Sequence, residues 1–215
     1  MNAQNYRLLL SKFSHEIRNP VALISSFLQL LRREHPEIAS SLYYRNIQEN
    51  MGLLRQLLDD MSHFNNADRL HREPTDLCRL LREAASSAAA VLSERNISLR
   101  LDLPEALPVL SLDQNKIRQV FYNLFRNAEE AMPEGGVISV SAWEEEQQIF
   151  IRVTDSGPSI PREFLPTIIA PLVTHKKEGT GLGLAVCREI LKAHQGSISA
   201  ASDGTPAFTI ALLVN

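Results

Sequence analysis

Two apolar series with alternating steps of three and four constrain this chain more than any other feature. The first runs through Leu10, Phe13, Ile17, Pro20, Ile24, Phe27 and Leu31; the second runs through Tyr44, Ile47, Met51, Leu54, Leu58 and Met61. Such spacing is the seam of a coiled-coil-like helix. His35, Pro36 and Glu37 interrupt it, which predicts two long helices, the first over about Arg7–Glu34, joined as a hairpin. One hairpin offers too little partner surface for both stripes. Pairing two hairpins into a four-helix bundle buries the remainder, so a homodimer is expected. Pro20 lacks an amide hydrogen and frees the carbonyl of Glu16, so the first helix should bend there.

The bulk properties narrow the class. The chain has 215 residues, 44% hydrophobic and 22% charged, which suits one large or two small globular domains. A formal net charge of −3 gives no electrostatic case for nucleic acid. Cys78 and Cys187 are the two cysteines; they form neither a disulfide framework nor a metal knuckle and read as buried thiols in a reducing compartment. No apolar run reaches the roughly 18 residues of a membrane span, and Met1–Leu10 does not read as a signal peptide. A cytoplasmic chain is expected, either free or as the cytoplasmic portion of a membrane sensor.

After a polar connector over Leu70–Pro74 the pattern changes. Thr75 and Asp76 can cap a helix to about Ser93. Ile97–Leu103 alternates as a strand, Asp113 caps a helix to Met132, and Val137–Trp143 and Gln148–Thr154 alternate around a Glu144-Glu145-Glu146 turn. Gly181–His194 reads as a helix, and Ser197–Ser202 with Ala207–Val214 as a last hairpin. The order predicts an α+β chain: residues 1–70 as the helical hairpin, and 71–215 as an α/β sandwich with helices on one face of a mixed sheet.

Four local features carry chemistry, and each alone has a bland reading. His15 stands off the Leu10–Phe13–Ile17 seam, so it should face solvent, where a histidine can act as a nucleophile. Asn123 and Asn127, one helical turn apart beside an apolar stripe of Val120, Leu124 and Ala128, project two carboxamides from one face. Their oxygens suit a hard ion such as Mg²⁺ whose other ligands are water and phosphate. Asp155-Ser156-Gly157 follows a strand: the carboxylate can accept from a heterocycle's amino group, and Gly157 lets a flat ring approach the backbone. Gly179-Thr180-Gly181-Leu182-Gly183 opens a helix, where inward amides and the helix amino end favour phosphate. Lys176 and Lys177 just before it could bring charge to a terminal phosphate.

In this order, along nearly the whole chain, the motifs resemble the transmitter core of bacterial two-component sensor histidine kinases. Ser14-His15-Glu16-Ile17-Arg18-Asn19-Pro20 is similar to the phosphoacceptor box of that family, and its Arg-Asn-Pro ending to kinases of nitrogen-regulation and sporulation-like systems. Asn123–Ala128 is similar to the asparagine box, and Asp155–Gly157 and Gly179–Gly183 to the two glycine boxes. The resemblance implies a dimerisation and phosphotransfer hairpin followed by an ATP-binding domain shared with gyrase-type ATPases and Hsp90 chaperones. It implies that His15 attacks the γ-phosphate of ATP while Glu16 orients the imidazole and takes its proton. Asn123 and Asn127 would hold Mg²⁺, Asp155 the adenine amino group, and the glycine loop the phosphates. The phosphoryl group would pass to an aspartate on a response regulator receiver domain, and Asn19 would align a water for the reverse, phosphatase direction.

The chain also departs from the family pattern. Ser159 stands where the first glycine box has another glycine, Gln195 stands in place of one of a glycine pair, and Ile169-Ala170-Pro171-Leu172-Val173 lacks the usual aromatics before a lid that is itself short. Two other readings therefore remain: a degenerate kinase that serves as a regulator-binding scaffold, or a phosphorelay protein that receives phosphate on His15 with little use of ATP.

Overall fold

A computed structural model describes residues 3–174, 179–202 and 204–214, without the side chains of residues 3–13 and 15. The chain divides into two compact units: Met1–Asn66 with Thr174–Leu182, and Ala67–Val173 with Gly183–Asn215. No described helix is long and apolar enough to cross a membrane.

The first unit is a helical hairpin of α1 (Ala3–Glu34) and α2 (Leu42–Asn65), joined through a 3₁₀ turn at Pro36–Ser40. Pro36 begins that turn because its ring fixes φ and its missing N–H is no loss there. Val21, Met51 and Leu58 form the buried core, with Ile17 and Leu28 packed against it. The expected seam put Pro20 and Phe27 on the inner face. Both are exposed, and the inward positions fall one residue later, at Val21 and Leu28. At about 100° per residue, Val21 lies about 40° round the helix from Ile17 and Pro20 about 60° to the other side, so the hairpin core takes the i+4 position. The helix runs on through Pro20 without interruption. Arg18 ties the two helices together, donating to the Leu58 carbonyl at 3.2 Å and to Asp59 Oδ1 at 2.9 Å. Tyr44 does the same at the far end, its hydroxyl donating to the Leu28 carbonyl at 3.1 Å.

The second unit is the expected sandwich. Its five-stranded sheet has the order β2 (Ile97–Asp102), β4 (Gly136–Glu145), β5 (Gln148–Asp155), β7 (Pro206–Leu213), β6 (Ser197–Ser202). β2 and β4 run parallel and the other neighbours antiparallel. Period-two alternation places Ile138, Val140, Ile149, Ile151, Val153, Ile210 and Leu212 on the buried face, beneath α3 (Leu77–Glu94), α4 (Gln114–Ala131) and α5 (Gly183–Ala193). Asp76 and Asp113 are the helix caps, accepting from the backbone N–H of Arg79 at 3.0 Å and of Lys116 at 3.1 Å. Glu146 and Gln147 both adopt left-handed φ, the geometry of a two-residue turn matched to strand twist. Both cysteines are buried, and burial raises the Cys78 thiol above its ordinary range.

Three elements differ from the sequence reading. Part of the Leu70–Pro74 connector belongs to a short strand, β1 (Glu73–Thr75), which pairs antiparallel with β3 (Leu110–Leu112). Three-residue strands carry too little alternation to be read from a pattern. The last helix begins at Gly183 rather than Gly181, because Gly181 sits at φ +66°, outside the helical region. Gln195, standing for a glycine, caps α5 with φ +62° while Gly196 N–H bonds back to the Leu191 carbonyl at 2.8 Å. That is a glycine-type helix end made without glycine, at a strain of about 1 kcal/mol.

A buried histidine stitches the start of this unit to its helices. The Asp113 backbone N–H donates to His194 Nε2 at 3.0 Å, and His194 Nδ1 donates to the Ile190 carbonyl at 2.8 Å. Asp113 Oδ2 accepts from His71 N–H at 2.8 Å, and Arg72 donates to the Ala193 carbonyl at 2.6 Å. Burial pushes the His194 imidazole below its ordinary pKa; Arg72 and Lys116 act the same way, and the Ile190 bond and Asp113 oppose it. Burial alone would raise the Asp113 carboxyl, but the N–H donors of His71 and Lys116 outweigh it and hold it low. The depressed imidazole stays neutral in the fold while the unfolded chain takes up a proton near pH 6.5. Stability should therefore be level above that pH, fall as pH drops below it, and level off again once the folded histidine titrates. Denaturant unfolding followed by the single tryptophan, Trp143, between pH 5 and 8 checks this; a His194→Gln chain should lose the slope.

Candidate functional site

The nucleotide-type residues of the second unit line α4 and the two segments that pack on it. Val120, Leu124 and Ala128 are buried, which fixes the rotation of α4 and leaves Asn123 and Asn127 half-buried at its edge. Asn123 Nδ2 donates to the Gly183 carbonyl at 3.2 Å. A carbonyl can only accept, so the amide is oriented, with Oδ1 on its other branch. A Cβ on Gly183 would stand 3.4 Å from an Arg126 guanidinium nitrogen and 3.9 Å from Asn123 Cγ. The amino end of α5 is thus seated on α4 beside Asn123.

The other end of the same helix meets Asp155 and Gly157. Asp155, buried at the end of β5, accepts the Gly157 N–H at 2.9 Å on Oδ1, which fixes the plane of its carboxylate. A Cβ on Gly157 would come within 2.7 Å of Asp155 Oδ1, 3.2 Å of Met132 Cγ and 3.3 Å of Ala131 Cβ. No side chain larger than hydrogen fits there. From Asn123 to Ala131 the axis of α4 rises about 12 Å, comparable with the distance from the base to the phosphates of an extended nucleoside triphosphate. A base-type acceptor therefore sits at one end, an anion-type helix start at the other, and two carboxamides between them. ATP fits this donor set. Asn123 Oδ1, left over by the bond to Gly183, is a hard oxygen of the kind Mg²⁺ takes together with phosphate and water.

Gly179, Thr180, Gly181 and Leu182 cluster with the hairpin unit. Within that stretch Leu182 N–H donates to Thr180 Oγ at 3.3 Å. Lys176 and Lys177 lie outside the described residues. On α1, Glu16 and Asn19 are exposed while Ser14 is buried; His15 lies in the helix, but its side chain is outside the described set, so its expected exposure stays an expectation. Sequence reasoning missed Arg126 and Asp60, and no spacing rule distinguishes either from an ordinary surface charge. Ser159, a departure from the family pattern, has a structural use: its hydroxyl donates to the Gly204 carbonyl at 2.9 Å, beside a bond from Ile160 N–H to Ser202 Oγ at 2.8 Å. This ties the glycine-box turn to the β6–β7 hairpin.

Residues 6–70 match the His Kinase A (phospho-acceptor) domain family, and residues 112–214 match the histidine kinase-, DNA gyrase B- and HSP90-like ATPase family. The chain belongs to the sensor histidine kinases, as their transmitter core. Among curated histidine kinases it is 31% identical over 196 residues to sporulation kinase D of Bacillus subtilis, covering 91% of this chain and 39% of that protein. It is 33% identical over 205 residues to the sensor histidine kinase ZraS of Escherichia coli K12, covering 94% of this chain and 44% of that one. The chain thus spans less than half of each kinase. A solved histidine kinase, ThkA in complex with the response regulator protein TrrA, superposes with a TM-score of 0.71 at 26% identity, over 96% of this chain and 61% of that one.

Proposed function

We propose that the chain is an ATP-dependent protein-histidine kinase that phosphorylates itself on His15 and passes the phosphoryl group to an aspartate of a response regulator receiver domain. The observation that carries this reading is the placement of Asp155, Asn127, Asn123 and the start of α5 along one helix, base end to phosphate end. Residues 1–70 serve as the dimerisation and phosphotransfer domain, and 71–215 as the catalytic domain. A ring nitrogen of His15 attacks the γ-phosphorus, the bond from that phosphorus to the β–γ bridging oxygen breaks, and ADP leaves. Glu16 receives the imidazole proton. Asn123 and Asn127 hold Mg²⁺, which neutralises phosphate charge when bound. The amides of Gly179, Thr180, Gly181, Leu182 and Gly183, with Lys176 and Lys177, take the phosphates. Asn19 aligns water for regulator dephosphorylation.

Equilibrium titration tests the nucleotide part. The chain should bind ATP in Mg²⁺ and bind it at least about 10-fold more weakly once the metal is chelated; no measurable ATP binding in Mg²⁺ would end this reading.

Assembly has its own support. Ile24, Phe27, Leu31, Ile47 and Leu54 are exposed apolar residues of α1 and α2, and a face of that kind is the ordinary mark of a protein interface. A homodimer that joins two hairpins in a four-helix bundle would cover it. Sedimentation at micromolar concentration should give a dimer, and Phe27→Glu, which puts a charge into the joint, should give a folded monomer. A monomeric parent would contradict the bundle.

A further inference from the structure

Two glycines far apart in the sequence give up their side chains to one methionine. Met132 caps the carboxyl end of α4. A Cβ on Gly136 would stand 2.5 Å from Met132 Sδ, and one on Gly157 would stand 3.2 Å from Met132 Cγ. The same point on Gly157 is 2.7 Å from Asp155 Oδ1, so Met132 Cγ lies within about 6 Å of that carboxylate, the two distances laid end to end. Ser156 holds the thioether in place. Its hydroxyl oxygen accepts the Val137 N–H at 3.0 Å, and its proton goes to Met132 Sδ at 3.3 Å, a weak acceptor. An unbranched thioether ordinarily adapts to its surroundings; here the hydroxyl and the two glycine backbones leave it one place. Met132 and Asp155 are withdrawn to a similar depth, at 4% and 6% exposure, as the floor of one pocket requires.

We propose that Met132 is a specificity-determining residue of the base site: its side chain fills the space beside the Asp155 carboxylate, admits an adenine with a bare amino group and rejects one whose amino nitrogen carries a substituent. The proposal rests on the reading of Asp155 as the acceptor for that amino group. A group on that nitrogen has to leave it within reach of the carboxylate, where the thioether already stands, and a close-packed interior has no slack for it. Discrimination of this kind comes from a clash built against the wrong ligand rather than from a bond to the right one. Ser156 acts through Met132 and is a positioning residue.

The test is a set of equilibrium titrations of the full chain and of Met132→Ala, Met132→Leu and Ser156→Ala. The ligands are ATP and ATP carrying a benzyl group on the adenine amino nitrogen. The parent should bind the benzyl compound at least about 30-fold more weakly than ATP. Met132→Ala should narrow that gap at least about 10-fold, chiefly by binding the benzyl compound more tightly. Met132→Leu, nearly equal in volume, should keep the parent's preference. Ser156→Ala leaves the thioether unfixed and should narrow the gap about 3-fold, the worth of one modest hydrogen bond; it carries the same expectation should Met132→Ala fail to fold. A methionine that only supported the fold would weaken both compounds by one factor. That result, or a parent that binds the two equally, overturns the proposal. A parent that binds neither would instead sink the nucleotide reading beneath it.

Discussion

Asp155→Asn should weaken ATP binding about 100-fold and erase the preference for ATP over GTP. Asp155 is buried at the end of β5 with Oδ1 fixed by Gly157 N–H. A carboxylate only accepts, and it suits the amino group of adenine. An asparagine keeps the bond to Gly157 only by presenting its own NH₂ group on the other branch, donor against donor. A hydrogen bond to a charged acceptor is worth about 1.5–3 kcal/mol, which brackets that factor. Guanine carries a carbonyl at the corresponding position, so the same change should favour GTP in relative terms. Competition titrations of parent and variant with the two nucleotides read this directly. An unchanged ATP affinity in a variant with unaltered Trp143 fluorescence would mean that the base does not bind at Asp155.

Much of the fold was legible because its periods are long and its punctuation is chemical. The sheet strands alternate over six to ten residues, the Asp76 and Asp113 caps stand at the helix starts, and Pro36 falls at the hairpin turn. What escaped was short or positional. β1 and β3 are three residues each, below the length at which alternation means anything. The inward place of Val21 rather than Pro20 is a choice between i+4 and i+3 from Ile17, both of which lie near the same helix face, and only the packing decides it. The amino end of α5 moved because Gly181 is needed as a left-handed hinge rather than as helix.

The candidate site divides in the same way. Asn123, Asn127, Asp155 and Gly157 could be named from residue type and spacing, since a carboxamide pair one turn apart and a carboxylate after a strand are local features. That the two ends of α4 receive the two glycine segments is a tertiary fact, visible only in the contacts of Gly157 with Ala131 and Met132 and of Gly183 with Arg126. Asp60 carries no local signal at all: it is one acid of an Asp59-Asp60 pair, and only the fold shows that its neighbour pairs with Arg18 while it grips Thr180.

The second large effect concerns His15 and is the most direct test of the whole account. The chain is incubated with Mg²⁺ and γ-labelled ATP beside His15→Gln and Asn19→Ala. The parent should acquire an acid-labile, alkali-stable label, His15→Gln should fall at least about 1,000-fold to background while still binding ATP, and Asn19→Ala should label as the parent does. A parent that binds ATP yet takes no label, or a His15→Gln chain that labels as well as the parent, would contradict the assignment.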